Sequence, residues 1–317
     1  MDWNQALRRI RPRPDRGPVP SENGAARAAP SRRARSICVA SGKGGTGKSV
    51  VTASLAAMIS ARGRTLIVDA DMGVGNAHIL QDVAPGSSFV DVVQGRVAVR
   101  DTVTACQPSL DLVCAGSGVS RMAGLSPYEL HLIAHGLREL EREYEYLLVD
   151  SAAGISEQTV AFAAACDLVL VVTTPDSTAI TDAYAFIKVL LAKRPGLAPL
   201  LIVNRVDEEA EDQEHSGVRV FERLAQVCLK FLGTRPRWLG SLPEDRAVVR
   251  SVAARRPVVV HEPGAPCAVA LQALCVPLLV ALGREEAAGL GRSLVRDLAY
   301  SPAQVRSAGP GTGPGKR

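Results

Sequence analysis

Ser41-Gly42-Lys43-Gly44-Gly45-Thr46-Gly47-Lys48-Ser49 decides the fold of this chain. An apolar run, Ile37-Cys38-Val39-Ala40, leads into it, and a helical pattern over 50–61 leaves it. Strand, glycine loop and helix in that order form the setting a phosphate-binding loop needs. Gly44, Gly45 and Gly47 permit tight turns that bring backbone N–H groups onto a polyphosphate, and Thr46 sits in the same run. The helix starting near Lys48 directs the positive end of its dipole at the same anion. Lys48 supplies charge for the β- and γ-phosphates, and the Ser49 hydroxyl is placed to hold Mg²⁺. The full G-x-x-x-x-G-K-[ST] spacing in this context argues against an incidental glycine-rich turn.

Outward from the loop, 317 residues allow one large α/β domain with tails, or two small domains. Hydrophobic residues make up 47% of the chain, enough for a sizeable core. The longest apolar stretch outside the strand-like runs, 265–282, is interrupted by Gln272 and Pro277 and reads as too short to span a bilayer. The arginine-rich start carries no apolar signal segment, which predicts a cytoplasmic protein. Seven cysteines form no C-x-x-C pair; Cys38, Cys166, Cys228 and Cys275 lie in apolar patterns and read as small core residues. His131 and His135, four apart, read as the solvent face of a helix rather than a metal pair. The net charge of +5 is uneven. Residues 1–36 hold nine arginines against three acidic residues, and 283–317 hold six basic against three acidic ones, so the middle is net negative. Basic tails suit acidic proteins, nucleic acid or anionic lipid, or are simply solvated.

A second buried strand is predicted over 65–68, followed by Asp69-Ala70-Asp71-Met72-Gly73-Val74-Gly75-Asn76. Acidic residues at a strand's C-terminal end face the ligand crevice of an open α/β sheet. Asp71 is placed to orient or deprotonate an attacking water, and Asp69 to support Mg²⁺ through water. The strand over 146–149 ends in Asp150, the Walker B arrangement that holds Mg²⁺ through a water. Further strands are predicted at 110–114, 168–173, 200–203 and 238–241. Helices are predicted at 127–144, 177–192, 218–232 and 264–282, the last with a kink at Pro277, and short helical segments at 89–94 and 101–103. This alternation predicts an α/β fold with a doubly wound, mostly parallel sheet in one domain, 37–282. A basic tail with a short helix precedes it at 1–36, and a tail with an amphipathic segment follows at 283–317.

Lys43 distinguishes this loop from an ordinary one. K-G-G-x-G-K-[ST] resembles the deviant Walker A motif of the MinD/ParA/NifH ATPases. The resemblance implies a P-loop NTPase fold, ATP and Mg²⁺ as cofactors, and an ATP-dependent homodimer in which Lys43 reaches the partner's phosphates. The run from Asp69 to Asn76 resembles the family's switch I, and Ser151-Ala152-Ala153-Gly154-Ile155 its switch II. Together with Thr181-Asp182-Ala183-Tyr184-Ala185-Phe186-Ile187-Lys188-Val189-Leu190, this region is similar to the FlhG/FleN (YlxH) branch, which sets flagellar number and placement. In that family an asparagine after the sixth strand and a P-x-D after the last contact adenine; Asn204, Pro243 and Asp245 match them. An amide suits adenine N6 and N7.

The tails bear on partners. Trp3, Leu7 and Ile10 share one side of a short helix at 2–10, followed by a proline-rich tether. The branch's N-terminal D-Q-A-x-x-L-R helix stimulates the GTPase FlhF. Asn4-Gln5-Ala6-Leu7-Arg8 keeps Q-A and L-R without the two intervening residues. Near the other end, Leu290, Leu294, Val295 and Leu298 flank Arg292 and Arg296 without an aromatic anchor, a pattern suited to weak contact with an anionic membrane surface. The leading expectation is an ATPase switch with Lys43, Lys48 and Asp71 in catalysis and Ser49, Asp69 and Asp150 at Mg²⁺. Its partners would be an FlhF-type GTPase or flagellar transcription or C-ring proteins. One alternative is a ParA-like partitioning ATPase that binds DNA nonspecifically. Arg246, Arg250, Arg255 and Arg256 support it, but they read better as a solvated helix face, which disfavours DNA. The other alternative is a nucleotide-sensing regulator that sequesters a transcription activator.

Overall fold

Runs of Val, Leu and Ile form strands, and the segments between them with helical spacing fold over both sheet faces. The computed structural model describes residues 33–73, 75–116, 124–207 and 216–287. In chain order the elements are β1 (Arg35–Ser41), α1 (Lys48–Ile59), β2 (Thr65–Ala70), α2 (Phe89–Val93), β3 (Thr104–Gln107), β4 (Leu110–Val113), α3 (Pro127–Leu140), β5 (Tyr146–Ala153) and α4 (Glu157–Ala165). Then come β6 (Leu168–Thr173), α5 (Ser177–Lys193), β7 (Leu200–Val206), α6 (Gly217–Leu232), β8 (Arg237–Pro243), α7 (Arg246–Ala253), α8 (Val258–His261) and α9 (Pro266–Ala287). The eight strands lie in the order β3-β4-β2-β5-β1-β6-β7-β8, and every neighbouring pair is parallel except β3–β4.

Alternate residues of each strand feed two separate cores. Cys38, Val68, Val149, Val171 and Val203 pack with Phe89, Leu137, Phe162, Phe186 and Leu224 under α2 to α6. Val39, Ile67, Leu148, Leu170 and Ile202 pack with Leu55, Ile59, Val259, Leu271 and Leu278 under α1, α8 and α9. Both faces are covered, so the central strands are apolar throughout, and β6 is buried at all six positions. Connections from β1 and β5 run to opposite sides of the sheet: β1 leads past β5 to β2, and β5 leads past β1 to β6. That crossing opens a crevice at the C-terminal ends of β1 and β5, where an open α/β sheet takes its ligand.

Helix starts follow their sequence signals. Ser126 and Glu129 form a capping box at α3, with Pro127 in the first turn. The stripe of Leu130, Ile133, Leu137 and Leu140 faces the core, while His131 and His135 are exposed, as the spacing predicted.

Several expectations change. The segment at 101–103 is not helical beyond a 3₁₀ turn, Val99–Thr102, after which β3 joins the sheet edge antiparallel to β4. The stretch 265–282 belongs to a 22-residue helix that continues through Pro277 and is long and apolar enough, by length and composition, to cross a membrane. Here one side of it is core: Cys267, Leu271, Cys275, Leu278 and Leu282 are buried against the sheet and α1, while Pro277 sits on the outer side. The expectations for 2–10, the proline-rich tether, Val74 and the segment 290–298 fall outside the described residues.

Candidate functional site

The phosphate loop leaves the centre of the sheet from β1 and enters α1 at Gly47. That residue has φ 94°, in the left-handed region, and a Cβ on it would stand 2.3 Å from the Asn204 amide nitrogen. Glycine is therefore required twice over, by conformation and by space. Asn204, near the end of β7, donates from Nδ2 to the Thr46 carbonyl at 2.8 Å, which ties the loop to the far strand. The Thr46 hydroxyl is buried and lacks a hydrogen-bond partner among the described residues. Gly42, at the loop's start, lies against the first turns of α5, where a Cβ would meet the Asp182 carbonyl oxygen at 2.0 Å.

The phosphate end of the crevice is buried and charged. Lys48 is only 8% exposed. Burial lowers its pKa, and the carboxylates of Asp150 and Asp71 oppose that fall. Asp150 and Asp69 are paired across β5 and β2 in register, so two buried carboxylates stand side by side. Burial pushes the Asp150 pKa up to about 6, restrained by the Ser49 hydroxyl, the Lys48 charge and Thr52. Thr52 Oγ1 donates to Asp150 Oδ1 at 3.3 Å. Asp69 is pushed further, to about 8, by burial and by the charge of Asp150. It accepts from the backbone N–H groups of Asp71 at 3.1 Å and Ala77 at 3.2 Å, so its first task is to shape the loop after β2. Asp71 lies half-buried at the crevice and accepts from the Gly73 N–H at 3.2 Å. Behind it, the Gly154 N–H donates to the Ser41 carbonyl at 3.0 Å, fastening the loop after β5 to the start of the phosphate loop.

This donor set fits Mg²⁺ shared with a polyphosphate. A hydroxyl and a carboxylate already in contact, Ser49 and Asp150, are backed by a second buried carboxyl, Asp69, which is level with Asp150 in the strand pairing. Mg²⁺ takes one or two protein groups and fills its octahedron with water and phosphate oxygens. Among the described residues there is no cluster of three or more ligating side chains, so an all-protein metal cage is not formed.

Beside the loop opens a cavity of about 330 Å³. Gly45, Gly47, Asn204, Pro243, Val248 and Leu271 help to line it, so that the Asn204 amide stands among mostly apolar groups. Asp245 also reaches this cavity, but both its oxygens are engaged. Oδ1 accepts from Ala247 N at 2.8 Å, capping α7, and Oδ2 accepts from Cys267 N at 3.0 Å. Asp245 thus joins α7 to α9 and builds the pocket wall. At the rim Arg205, with φ 59°, pairs with Glu244 at 3.0 Å.

Lys43 lies apart from Lys48. Its ammonium donates to Asp176 Oδ2 at 2.6 Å and contacts the Thr178 hydroxyl. Both residues are 133 or more positions away in sequence, and no sequence signal identifies them as its partners. The contact arises because β6, which leads into α5, is the neighbour of β1.

Loop, crevice and sheet order define a P-loop nucleotide-binding protein. The chain belongs to the CobQ/CobB/MinD/ParA nucleotide binding domain family, whose model matches residues 37–258. The antiactivator FleN of Pseudomonas aeruginosa is 31% identical over 239 residues, covering 75% of this chain and 84% of that protein. The flagellum site-determining protein YlxH of Helicobacter pylori is 31% identical over 225 residues, covering 69% and 73%. Among solved structures, the septum site-determining protein MinD of Pyrococcus horikoshii OT3, complexed with Mg-ADP, matches with a TM-score of 0.65 at 23% identity, covering 80% of this chain and 98% of that one. At that identity the likeness speaks for the fold alone.

Proposed function

We propose that this chain is an ATP-hydrolysing switch that pairs with a second copy on Mg²⁺-ATP and regulates flagellar number or placement. The observation that carries the reading is the gathering of Lys48, Ser49, Asp71 and Asp150 in one crevice while Lys43 stands exposed at its mouth. In this reading the loop N–H groups and Lys48 bind the phosphates, and Mg²⁺, when bound through Ser49 and Asp150, neutralises charge on them. Asp71 directs a water, and Lys43 crosses to the partner. Asn204 and Pro243 receive adenine. Because Asn204 Nδ2 is committed to the Thr46 carbonyl, its free oxygen is an acceptor for the adenine amino group, while the keto oxygen of guanine would repel it. Residues 37–282 act as the switch domain. The segment 2–10 reaches an FlhF-type GTPase, and 290–298 gives weak membrane contact.

The relatives FleN and YlxH support a flagellar role, and the description of FleN as an antiactivator supports sequestration of a transcription activator as one output. The DNA-binding alternative draws less support, since Arg250 is held by Glu262 through two bonds of 2.8 and 2.7 Å and Arg255 lies 3.9 Å from Asp82. Light scattering and phosphate release on the full chain test the reading. A dimer with Mg²⁺-ATP but not with ADP is expected, with specific activity that rises with protein concentration. A monomer under Mg²⁺-ATP, or activity independent of concentration, would overturn it.

A further inference from the structure

A second cavity, of about 400 Å³, opens between α4 and α5. Ile155, Val160, Val189 and Ala192 line it together with two charged residues, Glu157 at the start of α4 and Lys193 at the end of α5. Ile155 is 51% exposed, a large aliphatic side chain left in water on the loop after β5. The described chain begins beside the lower end of this groove. Arg33 Nη2 donates to Asp167 Oδ1 at 2.7 Å and Ser36 N donates to Asp167 Oδ2 at 2.8 Å, which fixes the chain ahead of β1 just past the end of α4. Arg194, next to Lys193, donates to the carbonyls of Ala164 and Cys166 and fastens the end of α5 to the end of α4. Val160 stands five residues before the last residue of α4, Ala165, which is roughly 8 Å of helix. Residues preceding 33 therefore leave the body within about two helical turns of the groove.

We propose that the chain's own segment 2–10 folds back into this groove. Trp3, Leu7 and Ile10 are spaced to share one helix face, and an aromatic side chain is the usual anchor of a docked segment. The charges match the groove from end to end: Asp2, beside Trp3, suits Lys193, and Arg8 and Arg9 suit Glu157. Residues 11–32 form the tether, and a flexible chain of that length spans about 25 Å, more where prolines extend it. The segment is thereby offered to the groove at about millimolar effective concentration, so a contact too weak to form between molecules is populated within one. A helix this short is marginal in water, and the groove supplies the packing it lacks. The segment 290–298 is the poorer occupant, because it follows α9, which packs on the opposite sheet face from α4 and α5. Ile155 also adjoins Gly154, whose N–H is tied to the Ser41 carbonyl, so the docked segment lies against the loop that borders the phosphate site. Docking withholds Trp3, Leu7 and Ile10 from any partner, and it stands independently of the dimerising-switch reading.

Trp3 and Trp238 are the two tryptophans of the chain. Trp238→Phe keeps a ring beside Phe221 and leaves Trp3 as the sole emitter. Acrylamide quenching of Trp3 in that full chain should be several-fold weaker than in a free peptide of residues 1–12. Adding Ala192→Arg, at an exposed helix position in the groove, should return quenching to the level of the peptide with melting temperatures that agree. Leu7→Asp should do the same from the side of the segment. The second readout is acylation of Lys193 in the chain with both tryptophans, read by mass spectrometry. Its rate should rise several-fold when residues 1–32 are removed and stay unchanged when 288–317 are removed. Quenching of Trp3 at the level of the peptide in the full chain overturns the proposal. Protection that survives Ala192→Arg also overturns it, by placing the segment elsewhere, and protection that falls on dilution does so by placing it on a second copy. A rise at Lys193 only when 288–317 are removed gives the groove to the C-terminal segment and overturns it as well. None of these results depends on Mg²⁺-ATP, so failure here leaves the switch reading to its own test.

Discussion

The two ends of the phosphate loop sit in different surroundings. Lys48 is 8% exposed, sits among Asp150, Asp71 and Ser49, and has its pKa lowered by burial. Lys43 has 39% of its side chain in water and pairs with one exposed carboxylate. The same residue type, five positions apart, therefore carries two different energies. At the buried end a charge has few alternatives, so each partner matters greatly. At the exposed end water competes for every contact, so partners can be exchanged. A switch that must hold nucleotide firmly yet pair reversibly needs one of each.

The strongest way to break this comparison is Lys48→Ala. Removing one member of a buried charge cluster costs about 3–5 kcal/mol, so Mg²⁺-ATP affinity should fall by roughly 100-fold or more. Calorimetric titration checks it; affinity within about threefold of the unaltered chain would mean that the buried end does not grip phosphate. Asp71→Ala comes next. The carboxylate accepts from Gly73 N–H in the loop after β2, and in this reading it acts on water, so nucleotide binding should survive while phosphate release drops about 100-fold, as for a lost general base. Hydrolysis at the original rate would remove Asp71 from the chemistry. Asn204→Ala removes both a loop tether and the amide facing the apolar cavity. A loss of about tenfold in ATP affinity is expected, the scale of one or two net hydrogen bonds, together with weaker preference for ATP over GTP. An unchanged ATP-to-GTP ratio would move base recognition elsewhere.

Sequence and structure agree best where both sheet faces are covered. β6 was legible to the residue because six consecutive apolar positions, all buried, leave no other reading. β3 was not, since Thr104-Ala105-Cys106-Gln107 lies at an edge, half in water, without alternation. The carboxylates of the crevice were legible as residues, because each ends an apolar run. Their electrostatic order was not: Asp69 and Asp150 are 81 positions apart, and only strand pairing brings them level. Lys43 was legible as unusual, but Asp176 was not legible as its partner. Asp245 was expected at adenine and lies at the cavity. Its two bonds to Ala247 and Cys267 depend on where α9 lands, which no local pattern states.

The smallest expected effect separates the two ends by pH. Folding raises the pKa of Asp69 from 3.8 to about 8 and that of Asp150 to about 6. Between roughly pH 4 and 8 the folded chain therefore holds more protons at these groups than the unfolded chain, and stability falls as pH rises through that window. Lys48, lowered by burial from the ordinary lysine value of 10.5, acts in the opposite sense and toward the alkaline side. The exposed end is silent there. Asp176 is lowered to about 2 by Lys43 and the Thr178 N–H, so its contribution is complete above 3.8 and is lost only as pH falls through about 2. Melting of the nucleotide-free full chain should thus drop by on the order of 5 °C from pH 5.5 to 8. Asp69→Asn should flatten that slope, because an amide keeps the bulk of the side chain without the proton. Asp176→Asn should leave the slope as it is. Mg²⁺-ADP should also flatten it, since a cation beside the carboxylates favours their charged forms. A level melting curve in the unaltered chain, or a slope removed by Asp176→Asn, would mean that the buried carboxylates do not set the pH response and that the two ends are not electrostatically distinct.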